Sequence, residues 1–259
     1  MNVTDTGSHA KQLPTESLEP QSRPLPISDL RESEQEDRLF GARSVPGPGF
    51  LLTIDGPVGV GKTTVTALTG ARLTRHGFSV AMTHQPSDSP MGKLARASTY
   101  DLHGLPLSFL MAADRYHHQD HVIIPALKAG HVVVCDRYVT TALVLDQLDG
   151  AEPEFIWSIY RYMRWPDLAV ILSGNPAVCR RRAADRGLYS RFHDGGAIAA
   201  AAEAALYART CDLLTCYGYP IEVIDIENRT AEQVADNVLQ FIEDRLTTAP
   251  RNVVKEDLR

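Results

Sequence analysis

The chain of 259 residues is 44% hydrophobic and 22% charged, a globular composition long enough to bury one substantial core, which excludes collagen-like, coiled-coil and mostly disordered chains. Its 26 Lys and Arg against 32 Asp and Glu give a net charge of −6 with no basic stripe, which argues against a nucleic-acid polymer as partner. The four cysteines form no CxxC pair, no run reaches the roughly 18 apolar residues of a membrane span, and no apolar signal segment opens the chain, so a cytoplasmic protein with no membrane partner is expected.

Residues 1–49 are rich in Ser, Glu and Pro without hydrophobic periodicity and read as a disordered tail, within which Ile27 to Phe40 reads as a solvated linker, the alternative being a transient acidic helix that docks on a partner. The folded unit is expected over 50–247, with a second tail at 248–259. Short β-branched runs at Phe50–Ile54, Phe78–Met82, His131–Cys135, Leu168–Leu172 and Ile221–Ile224 alternate with helical patterns, the signature of an α/β fold with a parallel sheet. About fifty residues separate the second and third strands, too many for one crossover, so a helical insertion is expected there with Pro106–Lys128 as its longest helix. Asn175-Pro176 and Thr230 with Gln233 mark the starts of the last two crossover helices.

Directly after the first strand, Gly56-Pro57-Val58-Gly59-Val60-Gly61-Lys62-Thr63 satisfies GxxxxGK[ST] and opens a helical run. Gly56, Gly59 and Gly61 let backbone N–H groups converge on phosphate oxygens, Lys62 reaches the β/γ phosphates, and the Thr63 hydroxyl, with Thr64 beside it, lies where magnesium of a nucleoside triphosphate would be held. Lys62 is expected to be an exposed loop lysine that contributes little to the core. Asp136, at the end of the third strand, is the second candidate metal group; the alternative is a simple ion pair with Arg137.

Further motifs follow in order. Thr83-His84-Gln85-Pro86-Ser87-Asp88-Ser89-Pro90-Met91-Gly92 precedes Leu110-Met111-Ala112-Ala113-Asp114-Arg115, then Asp136-Arg137-Tyr138, Trp165-Pro166-Asp167-Leu168 and Arg182-Ala183-Ala184-Asp185-Arg186-Gly187. This order resembles the thymidylate kinase family and covers Phe50 to Leu246. The resemblance implies a P-loop NTPase fold with a five-stranded parallel sheet, a helical acceptor-site insertion and a lid. It also implies a homodimer that transfers the γ-phosphoryl of magnesium-ATP to a nucleoside 5′-monophosphate. It assigns Lys62, Asp136 and Arg137 to catalysis, Arg137 also to the acceptor phosphate, Arg115 to the base, and Gln85, Tyr138, Thr141 and Leu145 to the acceptor's surroundings. The loop positions Pro57 to Val60 hold no arginine, so the catalytic arginines are sought in the lid, at Arg186 and Arg191 with Arg182 behind them.

Departures from that pattern concern the acceptor. The loop carboxylate of family members is Val58 here, and the polar and tyrosine positions after Asp136-Arg137-Tyr138 read Thr140, Thr141, Ala142 and Leu145. The loop also looks like that of viral thymidine kinases, but those need a carboxylate base where this chain has Gln85, and an amide cannot take a proton. A monophosphate acceptor therefore fits better than a neutral nucleoside; a regulator with little turnover is the remaining alternative. His117 and His121, one turn apart, read as a polar helix face rather than a metal site.

Overall fold

A computed structural model describes residues 49–187, 192 and 196–248, with the side chains of 186 and 246–248 excepted. The expected tails, save residues 49 and 248, and the lid residue Arg191 lie outside the described residues.

Three strands are buried along nearly their whole length: β1 (Phe50–Asp55), β3 (Val132–Asp136) and β4 (Leu168–Ser173). Their sequences FLLTID, VVVCD and LAVILS are near-continuous apolar runs, as central parallel strands covered on both faces require. The partly exposed strands β2 (Val80–His84) and β5 (Ile221–Asp225) take the edges, and the five parallel strands run in the order β2-β3-β1-β4-β5. The second strand starts two residues later than the sequence suggests because Phe78 N donates to Leu73 O (3.1 Å), closing the end of α1 (Lys62–Arg75) instead of joining the sheet.

Strand alternation sends Leu52, Ile54, Val134 and Val170 to one face, where they pack with Leu73 of α1 and with Val238 and Ile242 of the C-terminal helix Ala231–Thr248. Leu51, Val133, Cys135 and Ala169 point the other way, onto Ala112, Ile123, Leu143, Ile156 and Tyr160. The insertion between β2 and β3 holds α2 (Pro90–Ala97) and α3 (Leu105–His118), which runs on through a π-helical stretch Gln119–Ile123 into α4 (Ile124–Lys128). The expected long helix over Pro106–Lys128 is thus one continuous helical run with a change of geometry inside it. Pro125 has no N–H to give to the carbonyl four residues back, which accounts for the wider turn just ahead of it.

After β3 come α5 (Val139–Leu148) and α6 (Pro153–Tyr160); after β4 come α7 (Pro176–Arg186) and α8 (Gly196–Cys216). Asn175 Oδ1 caps α7 by accepting from Ala177 N (3.0 Å) and Val178 N (3.4 Å). A capping box opens the last helix, α9 (Ala231–Thr248): Thr230 N donates to Gln233 Oε1 (2.9 Å) and Gln233 N to Thr230 Oγ1 (3.3 Å). No described helix is long and apolar enough to cross a membrane. The loops after β1, β2 and β3 all leave the C-terminal edge of the sheet side by side, where open parallel sheets bind ligands.

Candidate active site

The loop 56–61 carries β1 into α1 by way of Gly61, which sits at φ 103° in the left-handed region. Gly59 is required twice over: its φ is 79°, and a Cβ there would lie 1.9 Å from Cys179 O of α7. Lys62 is 5% exposed and folds back to donate from Nζ to Gly56 O (2.7 Å) and Pro57 O (2.8 Å), which corrects the expectation of an exposed side chain. The loop wraps around the ammonium, and no local sequence pattern reports that.

Burial, aided by Arg137, pulls the Lys62 ammonium down to about 7, against the opposing pull of Asp136, Glu203 and Asp55. A triphosphate in the loop would bring negative charge to Nζ and favour the protonated form. Binding of ATP near pH 8.5 is therefore expected to take up most of one proton, measurable as a dependence of calorimetric enthalpy on the buffer's ionisation enthalpy. Lys62→Met should abolish that uptake; none in the wild type would mean that Lys62 is already charged in the empty loop.

Thr63 Oγ1 donates to Asp136 Oδ2 (2.6 Å), and Asp136 Oδ1 is buried without a protein partner. A hydroxyl and an orphaned carboxylate oxygen at one spot suit a hard divalent cation, so the residues present fit magnesium. Thr64 lines a cavity of about 510 Å³ beyond the loop together with Arg182, Ile226, Arg229 and Thr230. The turn 226–230 was not singled out from the sequence. Its signal was there, in Asn228-Arg229 just ahead of a capping box at a strand's C-terminal end. Arg182 and Arg186 lie on the last turns of α7; of the Arg186 side chain nothing is described, and Arg191 falls outside the described residues.

A second cavity, of about 360 Å³, opens on the other side of the loop. Its apolar wall is Leu107, Met111, Ala142 and Leu145, and its polar groups include Gln85, Arg96, Arg115, Arg137 and Asp146. Arg137 holds φ 71°, a conformation costly for a non-glycine residue, with its N–H on Ile54 O (3.0 Å) and Nη1 unpartnered. Asp55 fixes the segment that follows. Its Oδ1 accepts from Tyr138 N (2.8 Å), Thr141 N (3.0 Å) and Thr141 Oγ1 (2.5 Å), and that hydroxyl in turn accepts from Tyr207 Oη (2.9 Å). Asp55 is thus a positioning residue that the sequence reading passed over.

Tyr138, expected among the acceptor's surroundings, is not brought to either cavity. It is fully buried, and its hydroxyl donates to Arg164 O (2.9 Å), because the Asp55 clamp turns the ring into the core beneath α3 and α5. Thr141 does line the second cavity, with its hydroxyl already engaged.

Gln85 is held by a chain of neutral groups. Burial lowers His118 to about 4, so its Nδ1 accepts from Gln85 Nε2 (3.2 Å) while Nε2–H donates to Thr83 Oγ1 (2.6 Å). Gln85 Oε1 is left without a partner at the cavity. Asp114 pins the preceding loop by accepting from Ser87 N (2.7 Å), Ser87 Oγ (2.5 Å) and Ser89 Oγ (2.9 Å), which leaves its neighbour Arg115 to face the cavity. His117 and His121 stack on each other at 4.0 Å.

Two charged residues absent from the sequence expectations complete the site. Arg96 of α2 donates from Nη2 to Pro86 O (2.6 Å) and lines the cavity beside Arg137. Glu203 of α8, 5% exposed, accepts Val58 N–H through both carboxylate oxygens (3.2 Å each), and burial pushes its carboxyl up despite Lys62 nearby. The loop edge whose own side chain is Val58 therefore receives a carboxylate from a helix 145 residues away in sequence. Only the folded chain brings them together.

A phosphate loop after the first strand, a carboxylate at the end of its neighbour and an arginine-lined second cavity define a P-loop phosphotransferase with separate donor and acceptor sides. The thymidylate kinase family profile matches residues 54–204. A probable thymidylate kinase of Caldivirga maquilingensis is 31% identical over 200 residues, covering 76% of this chain and 94% of that one. One of Pyrobaculum calidifontis is 32% identical over 207 residues, covering 78% and 100%, and a thymidylate kinase of Caldicellulosiruptor saccharolyticus is 34% identical over 142 residues, covering 52% and 69%. The chain belongs to the thymidylate kinase family and is an ATP-dependent nucleoside monophosphate kinase.

Proposed function

We propose that the protein phosphorylates dTMP, or a closely related pyrimidine deoxynucleotide, to the diphosphate, within a catalytic unit of residues 50–247. The observation that carries this reading is the grouping of Arg96, Arg115 and Arg137 in one cavity across the phosphate loop from the donor side. An acceptor already anionic needs cations to approach a triphosphate and needs no base, and the cavity supplies the first while Gln85 is unable to act as the second.

In this mechanism Lys62 leaves the loop carbonyls for the β and γ phosphates. Arg137, with Arg96 beside it, holds the acceptor's 5′-phosphate so that one of its oxygens lies in line with the γ phosphorus. The new P–O bond forms as the bond to the β–γ bridging oxygen breaks, and ADP leaves. Thr63 and Asp136 would hold magnesium, which supplies charge neutralisation at the donor phosphates. Arg182, Arg186 and Arg191 act from the lid on charge that develops in the transition state. Ala142 and Leu145 present apolar surface where relatives of the resembled pattern carry polar groups, which favours tolerance for altered pyrimidines. The family resemblance supports a homodimer working in the cytoplasm.

With magnesium-ATP and the full chain, ADP release should follow addition of dTMP and not of thymidine. Release with thymidine and none with dTMP would make it a nucleoside kinase; no release with any nucleotide acceptor would leave a nucleotide-binding regulator.

A further inference from the structure

A third cavity, of about 470 Å³, opens beside the phosphate loop toward β2, and the mechanism above leaves part of its lining unused. Thr63 and Asp136 line it together with Thr66 and Gln85. Three of these side chains keep a buried oxygen without a protein partner: Asp136 Oδ1, Gln85 Oε1 and Thr66 Oγ1, on residues only 8%, 2% and 4% exposed. A buried polar atom of this kind costs stability until something engages it, and three gathered at one cavity point to a ligand.

Local structure keeps each of them free. Thr66 lies on α1 three residues past Thr63 and therefore on the same helix face. A threonine inside a helix can turn its hydroxyl onto the carbonyl four residues back, as Thr74 Oγ1 does to Gly70 O (3.0 Å), but Thr66 makes no such bond. Gln85 gives its Nε2 to His118, which commits the nitrogen side of the amide and leaves Oε1 over. Asp136 engages Thr63 through Oδ2 alone.

The partner that suits these oxygens is a donor of hydrogen bonds or a cation. An ionised carboxylate and an amide oxygen only accept, so nucleotide phosphates, themselves acceptors, would be repelled by them. Thr63 and Asp136 suit a hard divalent ion directly. Magnesium dehydrates reluctantly and keeps several waters, whose outward protons need acceptors, and Gln85 and Thr66 border the same cavity with acceptors to offer.

We propose that Gln85 and Thr66 are positioning residues that accept hydrogen bonds from the water shell of the magnesium carried by Thr63 and Asp136, and so orient that ion against the donor phosphates. The inference rests on the metal assignment made under the proposed function. It gives the amide at position 85 a task on the donor side, where a neutral acceptor serves and no base is needed.

The test titrates Mn²⁺ into the full chain saturated with ADP, following free Mn²⁺ by electron paramagnetic resonance, and counts metal-bound waters from line broadening in ¹⁷O-enriched water. Wild type should hold Mn²⁺ at least tenfold more tightly than ADP alone does. Gln85→Leu and Thr66→Val should each raise the Kd for Mn²⁺ about tenfold, the scale on which loss of an outer partner weakens a metal site, with the Kd for metal-free ADP changed less than about threefold. The water count should stay the same in both variants. Gln85→Glu retains an acceptor and should bind Mn²⁺ at least as tightly as wild type. Tm is recorded throughout, and Thr66→Val, which keeps the shape of the side chain, carries the test if Gln85→Leu melts below the assay temperature. Unchanged Kd values for Mn²⁺ in Gln85→Leu and Thr66→Val, or one additional bound water in Gln85→Leu, would overturn the proposal, the second by making Gln85 a direct ligand. A wild type that binds Mn²⁺ no better than ADP alone would instead overturn the metal assignment to Thr63 and Asp136.

Discussion

Lys62→Ala is expected to lower kcat by about a thousandfold, the scale on which removal of a preorganised charge at a transferring phosphoryl group acts. Its ammonium is already enclosed by the loop, bonded to Gly56 O and Pro57 O, and exchanges these two carbonyls for phosphate oxygens when the loop grips a triphosphate. The fold should survive, because burial works against the charged form of this lysine rather than for it. Between pH about 7 and 10.5 the unfolded chain holds a proton on Lys62 that the folded chain has lost, so this group makes stability rise with pH in that window. Lys62→Met should flatten that rise in Tm, and steady-state kinetics should show the loss in kcat. Near-wild-type turnover in either variant would remove the loop from the chemistry.

Arg137→Gly should separate activity from stability. Arginine at φ 71° carries a backbone cost of about 1–2 kcal/mol that glycine does not, so the variant should melt no lower than wild type. The loss of the guanidinium should lower kcat/KM for the monophosphate by about a hundredfold or more, because the acceptor's charge is left facing fewer cations. Strain held at a residue with an unpartnered Nη1 is intelligible when the side chain serves a ligand. A variant that is both less stable and fully active would show that Arg137 serves the fold alone.

What the sequence made legible was local. The phosphate loop is a contiguous motif between a strand and a helix, and the buried central strands announce themselves as unbroken apolar runs. Caps at Asn175 and Thr230 were legible for the same reason, since each is a contact across two or three residues. The site's other half depends on distant pairs. Glu203 meets Val58 across 145 residues, and Asp55 clamps Tyr138 and Thr141 across more than eighty, so no window on the chain reveals either. Tyr138 reads as a site residue because its motif neighbours are polar, whereas the backbone turn at Arg137 sends its ring into the core.

The central claim, phosphoryl transfer from ATP to a nucleotide's own phosphate, is tested most directly by following the label from ATP labelled in its γ phosphate, with dTMP as acceptor and the full chain as catalyst. The account requires the label to appear in the β position of the nucleoside diphosphate. Label recovered only as inorganic phosphate, or transferred to thymidine but not to dTMP, would contradict it.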